Sequence, residues 1–359
     1  MEIYQKLTDK EREISQTIIW LRAILCLFII LIHTVPPQYA LVAECYRYIR
    51  HLMNVAVPLF FAISGFLLFW KKDFKFSIYT KKLKKRIKTL VIPYLLWNIF
   101  AVLILCFLGG FLKSYFLNDN FTFENLFNKT PLYWLKTLLG IPYPVNGPLW
   151  FVRDLLLCFI FSPFICFFVK FAPKIFLPIL LFIWALKPVT TDLGGGEPIF
   201  WFSLGAYVGI HKEILMSANP KLLIKICLPL YLLVPTLFIF VQLREICIIR
   251  NTLIVIIILA GSVTMVSTSY LLLKKYSLPS WIVSLSKVSF FVYCSHMVFS
   301  KIITSIVHKI ILPKFPENFY IGILAYVGSF ISLLTITLLF CACIKYLFPK
   351  TFNILNGGR

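Results

Sequence analysis

Two ionisable residues in one apolar, helix-length stretch of the sequence are the first pointer to chemistry. Residues 18–32 read IIWLRAILCLFIILI, with Arg22 near the start and His33 directly after the end. A guanidinium inside a bilayer is costly, so an arginine in such a segment marks a candidate functional site. The R-x10-H spacing is close to three helical turns. Both side chains then fall on nearly the same face, roughly 16 Å apart along the axis. An imidazole titrates near neutral pH and can act there as a general base. A guanidinium neutralises and hydrogen-bonds phosphate oxygens. A plainer alternative stays open, namely helix packing or an arginine snorkelling to the interface.

Further unusual residues fall into short phrases. VPLFFAISGFLLF carries Ser64 and Gly65 in its middle. There a hydroxyl in a dry place and a close backbone approach compete with plain helix packing as the explanation. KKLKKRIKTLVIPYLLW places Lys85, Arg86 and Lys88 at the mouth of an apolar run. Such a cluster determines topology, binds lipid headgroups, or meets a phosphate-rich ligand such as coenzyme A. GPLWFVRDLL sets Arg153 beside Asp154. That carboxylate can orient an imidazole or pair locally with an arginine. LSKVSFFVYCSHMVF brings Ser289, Tyr293 and His296 within two turns, and so adds a second intramembrane histidine.

The elements that must position these residues follow from composition. The chain of 359 residues is 60% hydrophobic and 17% aromatic, with 14% charged residues and a mean hydropathy of +0.88. A soluble domain of this length needs far more polar surface, so an all-α polytopic membrane protein is expected. The ten cysteines are scattered, with no C-x2-C pair, which argues against a disulfide frame and a zinc site. No signal peptide is expected, because a polar start runs into a full-length span. The net charge of +22 sits mainly in short loops. The positive-inside rule therefore explains it better than nucleic-acid binding.

About ten spans are expected, at 17–35, 54–70, 90–110, 149–169, 175–188, 197–211, 221–241, 251–273, 287–306 and 320–347. Lys71 to Lys88 holds nine Lys or Arg against Asp73, which fixes that loop as cytoplasmic. An even number of spans then puts both termini on the cytoplasmic side. The longest outer loop, about 111–148, has a short apolar piece at Leu132 to Leu139 that fits an interfacial lid or re-entrant segment. Residues 1–359 read as a single transmembrane domain with a core at about 17–347. No internal repeat is visible, and an inverted-repeat transporter is accordingly not supported.

With these phrases assembled, the chain resembles the integral-membrane acyltransferase family 3, whose members O-acetylate sugars and envelope polymers. The resemblance runs from about Trp20 to about Ile344. It rests on R-x10-H, on VPLFFAISGFLL, on the basic run ending in IPYLLW, and on PLWFVRDL, SLGAY and SFFVYCSH in that order. It implies that Arg22 and His33 are essential, with His33 as the catalytic base. The family's R-x-x-R motif is incomplete here. Arg86 fits its first position, the second falls on Thr89, and Lys88 stands beside it. A lysine offers a point charge where arginine offers a fork. The chain resembles the stand-alone members without an esterase-like domain.

The resemblance implies acetyl-CoA, or another acyl-CoA, as donor substrate, with no permanently bound cofactor and no metal. The donor is expected to meet Lys85, Arg86, Lys88 and then Arg22 from the cytoplasm. The acceptor, a hydroxyl of an envelope or lipid-linked sugar, is expected from the outer side of the cell membrane. Ser64, Tyr293 or a backbone group is the expected oxyanion stabiliser, with Asp154 and His296 as possible supporting residues. Expected partners are the lipid bilayer, the acyl donor and the sugar acceptor, and not nucleic acid. Two other classes stay open: a glycan-precursor transporter, and a non-catalytic component of an envelope-polysaccharide synthesis complex. The sequence does not set the oligomeric state.

Overall fold

Proline, glycine and lone polar residues decide where these apolar helices break and how closely they pack. The computed structural model describes residues 2–37, 39–70, 76–111, 129–141, 143–186, 196–240 and 247–358. Among the described residues the regular structure is helical, with no strand.

The first helix, α1 (Glu2–Ile32), stops where Pro36 and Pro37 follow. A proline disfavours helix at the residue before it and removes an amide donor. The segment expected as the first outer loop is instead largely helical. It forms α2 (Ala40–Met53), whose Glu44 and Arg47 pair across one turn. Spacing of three residues makes neighbours on a helix, which a search for apolar spans alone does not detect. After Asn54 the chain continues as α3 (Ala56–Phe69), where Pro58 lies in the first turn and costs no ladder hydrogen bond.

Next come α4 (Phe76–Arg86), a widened π-helical turn at Ile87–Val91, and α5 (Ile92–Phe111). The widening has a cause in sequence. Pro93 has no N–H to give the Thr89 carbonyl, and the ladder shifts so that the Ile92 amide bonds Ile87. The same device recurs at Val307–Ile311, ahead of Pro313. Residues 71–75, within the expected cytoplasmic loop, and 112–128, within the expected outer loop, lie outside the described residues. The apolar piece of that outer loop is α6 (Pro131–Leu139), capped by the Thr130 side chain and closed by left-handed Gly140 at φ 74°.

A bent pair follows, α7 (Trp150–Ile160) and α8 (Ser162–Phe171), at 63° to one another. Pro163 accounts for the bend, since its ring crowds the Phe159 carbonyl, which accepts from Ser162 Oγ instead at 2.8 Å. The remaining helices are α9 (Pro173–Leu186), α10 (Gly196–Ile210), α11 (Glu213–Ser217), α12 (Pro220–Leu233), α13 (Leu237–Phe240), α14 (Cys247–Lys275), α15 (Ser280–Ile306), α16 (Phe319–Leu347) and α17 (Pro349–Leu355).

Each of the ten expected spans overlaps a helix among the described residues, but they differ in reach. Among the described residues six helical stretches are long and apolar enough to cross a bilayer: 10–32, 40–69, 79–104, 248–275, 280–314 and 319–347. The bent pair makes up to seven. Helices α9, α10 and α12 have 14, 15 and 14 residues. They are about 21–23 Å long, shorter than the roughly 30 Å hydrocarbon core. Multi-pass membrane architecture is thus carried by the longer helices alone.

Helices α3 and α10 make the closest pairing. A Cβ on Gly65 would run into the Phe202 carbonyl, and one on Gly205 into that of Ala62. The ISGF and SLGAYVG phrases are therefore a small-residue seam that lets two backbones touch.

Helices α1 and α15 run parallel through the centre. Cys26 Sγ contacts the Ser289 carbonyl, and the Ser300 hydroxyl donates to the His33 carbonyl, so both positions advance together along the two helices. The last helix returns to this core. Asn356, 1% exposed, accepts from the Phe291 amide at 3.1 Å and donates to the Lys287 carbonyl at 2.9 Å. It bridges one rung of α15 just below Tyr293 and His296.

Candidate functional site

Helix α1 carries two stations. At its far end His33 is the first residue past the helix, its amide still bonded to the Ile29 carbonyl at 3.2 Å. The last carbonyls of a helix have no partner within it. Here three successive carbonyls at the helix end each receive a hydroxyl from a different helix. Tyr326 of α16 donates to Leu31 at 3.1 Å, Tyr46 of α2 to Ile32 at 2.7 Å, and Ser300 of α15 to His33 at 2.6 Å. The helix end is thereby held from three sides.

His296 faces this end from α15. Its ring centroid lies 5.1 Å from that of His33, at an interplanar angle of 48°. It is fully buried, with Nδ1 2.7 Å from the Tyr293 carbonyl and Nε2 without a hydrogen-bond partner among the described residues. Tyr293, 6.0 Å from His296 between ring centroids, donates its hydroxyl to the Pro148 carbonyl. That contact brings the N-G-P-L-W turn to the site. Asn146 fixes the same turn by donating to the Cys294 carbonyl at 2.7 Å while its amide bonds Asn98 Oδ1 at 3.2 Å.

A cavity of about 250 Å³ opens beside His33. Tyr293, Pro148 and Trp150 line it together with Trp184, Glu197 and Asn54. The site therefore places a base candidate at the wall of a chamber with aromatic and polar surfaces.

Other expected residues lie elsewhere. Asp154 pairs with its neighbour Arg153 at 2.8 Å, and Arg153 also donates to the Gly140 carbonyl. Among the described residues Asp154 makes no hydrogen bond to either histidine. Of the two readings of this carboxylate, the local pair is the one formed, and it anchors α6 to α7. Ser64 Oγ bonds the Phe60 carbonyl of its own helix at 2.8 Å, and Ser64 does not line the cavity. Among the described residues no group of three His, Cys, Asp or Glu side chains could hold a metal ion.

The second station lies near the start of the buried part of α1. Arg22 and Arg86 are close enough to feel one another's charge. The Arg86 guanidinium sits 4.5 Å over the Phe159 ring, a cation–π contact. Lys85 and Lys88 flank it, exposed. Among the described residues neither arginine has an ion-pair partner. Two guanidiniums within electrostatic reach of one another in a low-dielectric setting favour a nearby anion. The π-turn at 87–91 widens the backbone at this mouth.

Sequence reading found the two arginines and the two histidines but missed the hydroxyl clamp, Asn146, Trp184 and Glu197. The signal for Glu197 was there, a lone carboxylate after the glycine run 194–196 and before an apolar helix. Tyr46 and Tyr326 had none, because their role depends on which helices meet.

Comparison with known proteins bears on the family. A family model described as an acyltransferase domain matches residues 16–345. Over 182 residues the chain is 33% identical to the succinoglycan biosynthesis protein ExoH of Rhizobium meliloti (strain 1021). That match takes in 50% of this chain and 46% of ExoH, so it spans under half the relative's length. No solved structure matches the chain.

Proposed function

This chain belongs to the acyltransferase family whose model covers residues 16–345, and from that premise we propose that it transfers an acyl group, acetyl first among candidates, from acyl-coenzyme A to a hydroxyl of a cell-envelope or lipid-linked sugar. The observation that carries the reading is the pair of stations on one helix. Arg22 and Arg86 form a cationic pair at one end, and His33 lines a cavity at the other. The name of ExoH, a succinoglycan biosynthesis protein, supports a polysaccharide acceptor.

The ten-span reading, with both termini and the 71–88 loop cytoplasmic, belongs to the same proposal, as does placement of the whole chain as one domain in the plasma or inner membrane. Parallel packing of α1 and α15 supports it, since the chain must cross an odd number of times between them. The donor then enters from the cytoplasm. Its phosphates meet Lys85, Arg86 and Lys88, and Arg22 holds them further in. The thioester extends toward His33.

The acceptor hydroxyl approaches from the cavity side. His33 takes its proton as the oxygen attacks the thioester carbonyl, giving a tetrahedral intermediate. Collapse expels the coenzyme A thiolate, which recovers the proton from the imidazolium. The thioester is already activated, so this route needs neither a metal nor a covalent enzyme intermediate. Tyr293 lines the cavity and would have to release the Pro148 carbonyl to meet the oxyanion, whereas Ser64 bonds its own helix and does not line the cavity.

Two measurements test the proposal. Purified protein given acetyl-coenzyme A and envelope glycan should release free thiol in an acceptor-dependent manner. Mass spectrometry of envelope glycans from cells without the protein should show loss of an acyl mass increment. No thiol release together with unchanged glycan masses would sink it, and would return the chain to the transporter or scaffold class.

A further inference from the structure

The cavity beside His33 has its own chemistry, apart from the base. Its volume of about 250 Å³ is the room of about eight waters at roughly 30 Å³ each. That is room for one sugar ring within the chamber. Trp184 lines it, 2% exposed, yet its indole Nε1 has no hydrogen-bond partner among the described residues. A buried indole N–H is a donor only and is normally satisfied. Its ring is fixed by Phe200, stacked at 5.4 Å, and by Trp201 at 5.7 Å.

Glu197 lines the same cavity from the first turn of α10, where the helix N-terminus favours a carboxylate. It stands beside Trp184 because Gly196 lets the two backbones close up. A Cβ at Gly196 would lie 3.0 Å from the Trp184 amide nitrogen. The chamber wall thus holds a buried indole donor without a partner among the described residues and an acceptor-only carboxylate, with Trp150 alongside. A hydroxyl both donates and accepts, and a pyranose presents several around an apolar ring face. Among the described lining residues there is no lysine or arginine, and Glu197 adds negative charge, which favours a neutral over an anionic ligand.

We propose that this cavity is the acceptor subsite, taking one neutral pyranose ring, with Trp184 Nε1 donating to and Glu197 accepting from its hydroxyls, and so choosing which hydroxyl meets His33. The proposal rests on the acyl-transfer reading of this site and adds its acceptor class and the residues that set specificity. A site built to hydrogen-bond a hydroxyl discriminates strongly against analogues lacking it.

Saturation-transfer NMR tests the binding without turnover. The probes are methyl β-glucopyranoside, methyl β-galactopyranoside and methyl N-acetyl-β-glucosaminide, added to the full chain in nanodiscs. At least one should bind. Trp184→Phe, which keeps the ring but removes the donor, and Glu197→Gln should each weaken it about tenfold or more, with coenzyme A affinity measured alongside and unchanged. Binding by none of the three, or equal binding by wild type and both variants, would overturn the proposal. Should the variants fail to fold, a diazirine-bearing methyl glycoside crosslinked to the wild-type chain should mark the peptides holding Trp184 or Glu197; marks only elsewhere overturn it as well. Glycoside binding as expected without thiol release would refute acyl transfer and leave the subsite standing. Thiol release without glycoside binding would refute the subsite alone.

Discussion

His33 and His296 face each other across two parallel helices, with ring centroids 5.1 Å apart. The Nδ1 of His296 is committed to the Tyr293 carbonyl at 2.7 Å. A carbonyl only accepts, so Nδ1 carries the proton, and Nε2 of the neutral ring is a lone pair. Two cationic rings at this distance would repel. The arrangement suits one base that gains and loses a proton beside a neighbour that does not. Of the two, His33 lines the cavity.

This division of labour predicts different costs for the same substitution. His33→Gln keeps some hydrogen bonding but cannot take a proton near neutral pH. Turnover should fall by roughly 10²–10⁴-fold. His296→Gln should fall by about tenfold, through altered packing against His33. Acyl transfer is compared at matched protein levels. Near-normal turnover by the first variant would refute the base assignment, and loss in the second alone would move the base to α15.

The cationic mouth makes a second prediction. Arg22→Ala or Arg86→Ala should weaken coenzyme A binding about tenfold or more, since a charge-assisted phosphate hydrogen bond contributes roughly 1.5–3 kcal/mol. Calorimetry on folded protein reads this directly. Unchanged affinity in both variants would mean that the cluster serves topology only.

The glycine seam predicts a stability effect with no catalytic component. Gly205→Ala places a methyl group into the Ala62 carbonyl and its neighbouring backbone atoms. Neither helix can yield without moving its whole length, so the cost should be at least about 1–3 kcal/mol. Gly328→Ala, where a Cβ meets nothing within 4 Å, is the matched control. Thermal unfolding in detergent should separate the two, and equal midpoints would refute the seam.

Much of this was legible in the sequence, for reasons that differ by residue. Arg22 and His33 stand out because a charge or imidazole in an apolar run is costly wherever the run packs. The long helices are legible for the same reason. Helix α2 was read as a loop because its apolar residues cover only one face. Span number was less legible, since α9, α10 and α12 are apolar but short, and composition does not say how a short helix is accommodated. Asp154 was ambiguous because its alternatives, an imidazole or the adjacent Arg153, differ in tertiary structure alone. Trp184 reads as any core aromatic until the fold leaves its indole nitrogen without a partner among the described residues, in the wall of a cavity that Glu197 also lines.

The hydroxyl clamp carries the final prediction. Tyr326, Tyr46 and Ser300 donate to the carbonyls of Leu31, Ile32 and His33, three consecutive residues. Removing the Tyr46 or Ser300 hydroxyl takes a donor from a carbonyl, at a cost of about 1–3 kcal/mol where it is buried, whereas Leu31 keeps the Thr34 amide at 3.3 Å when the Tyr326 hydroxyl is lost. The functional cost should be larger than that suggests, because a misplacement of about 1 Å at a reacting group can lower rate by about 10²-fold. Tyr46→Phe, Tyr326→Phe and Ser300→Ala should therefore each lower kcat by about tenfold or more with the donor KM unchanged. A purely structural role gives the opposite pattern, less folded protein but normal turnover per folded molecule. Measuring kcat against active-site-titrated protein separates the two, and normal kcat in all three variants would refute a positioning role for the clamp.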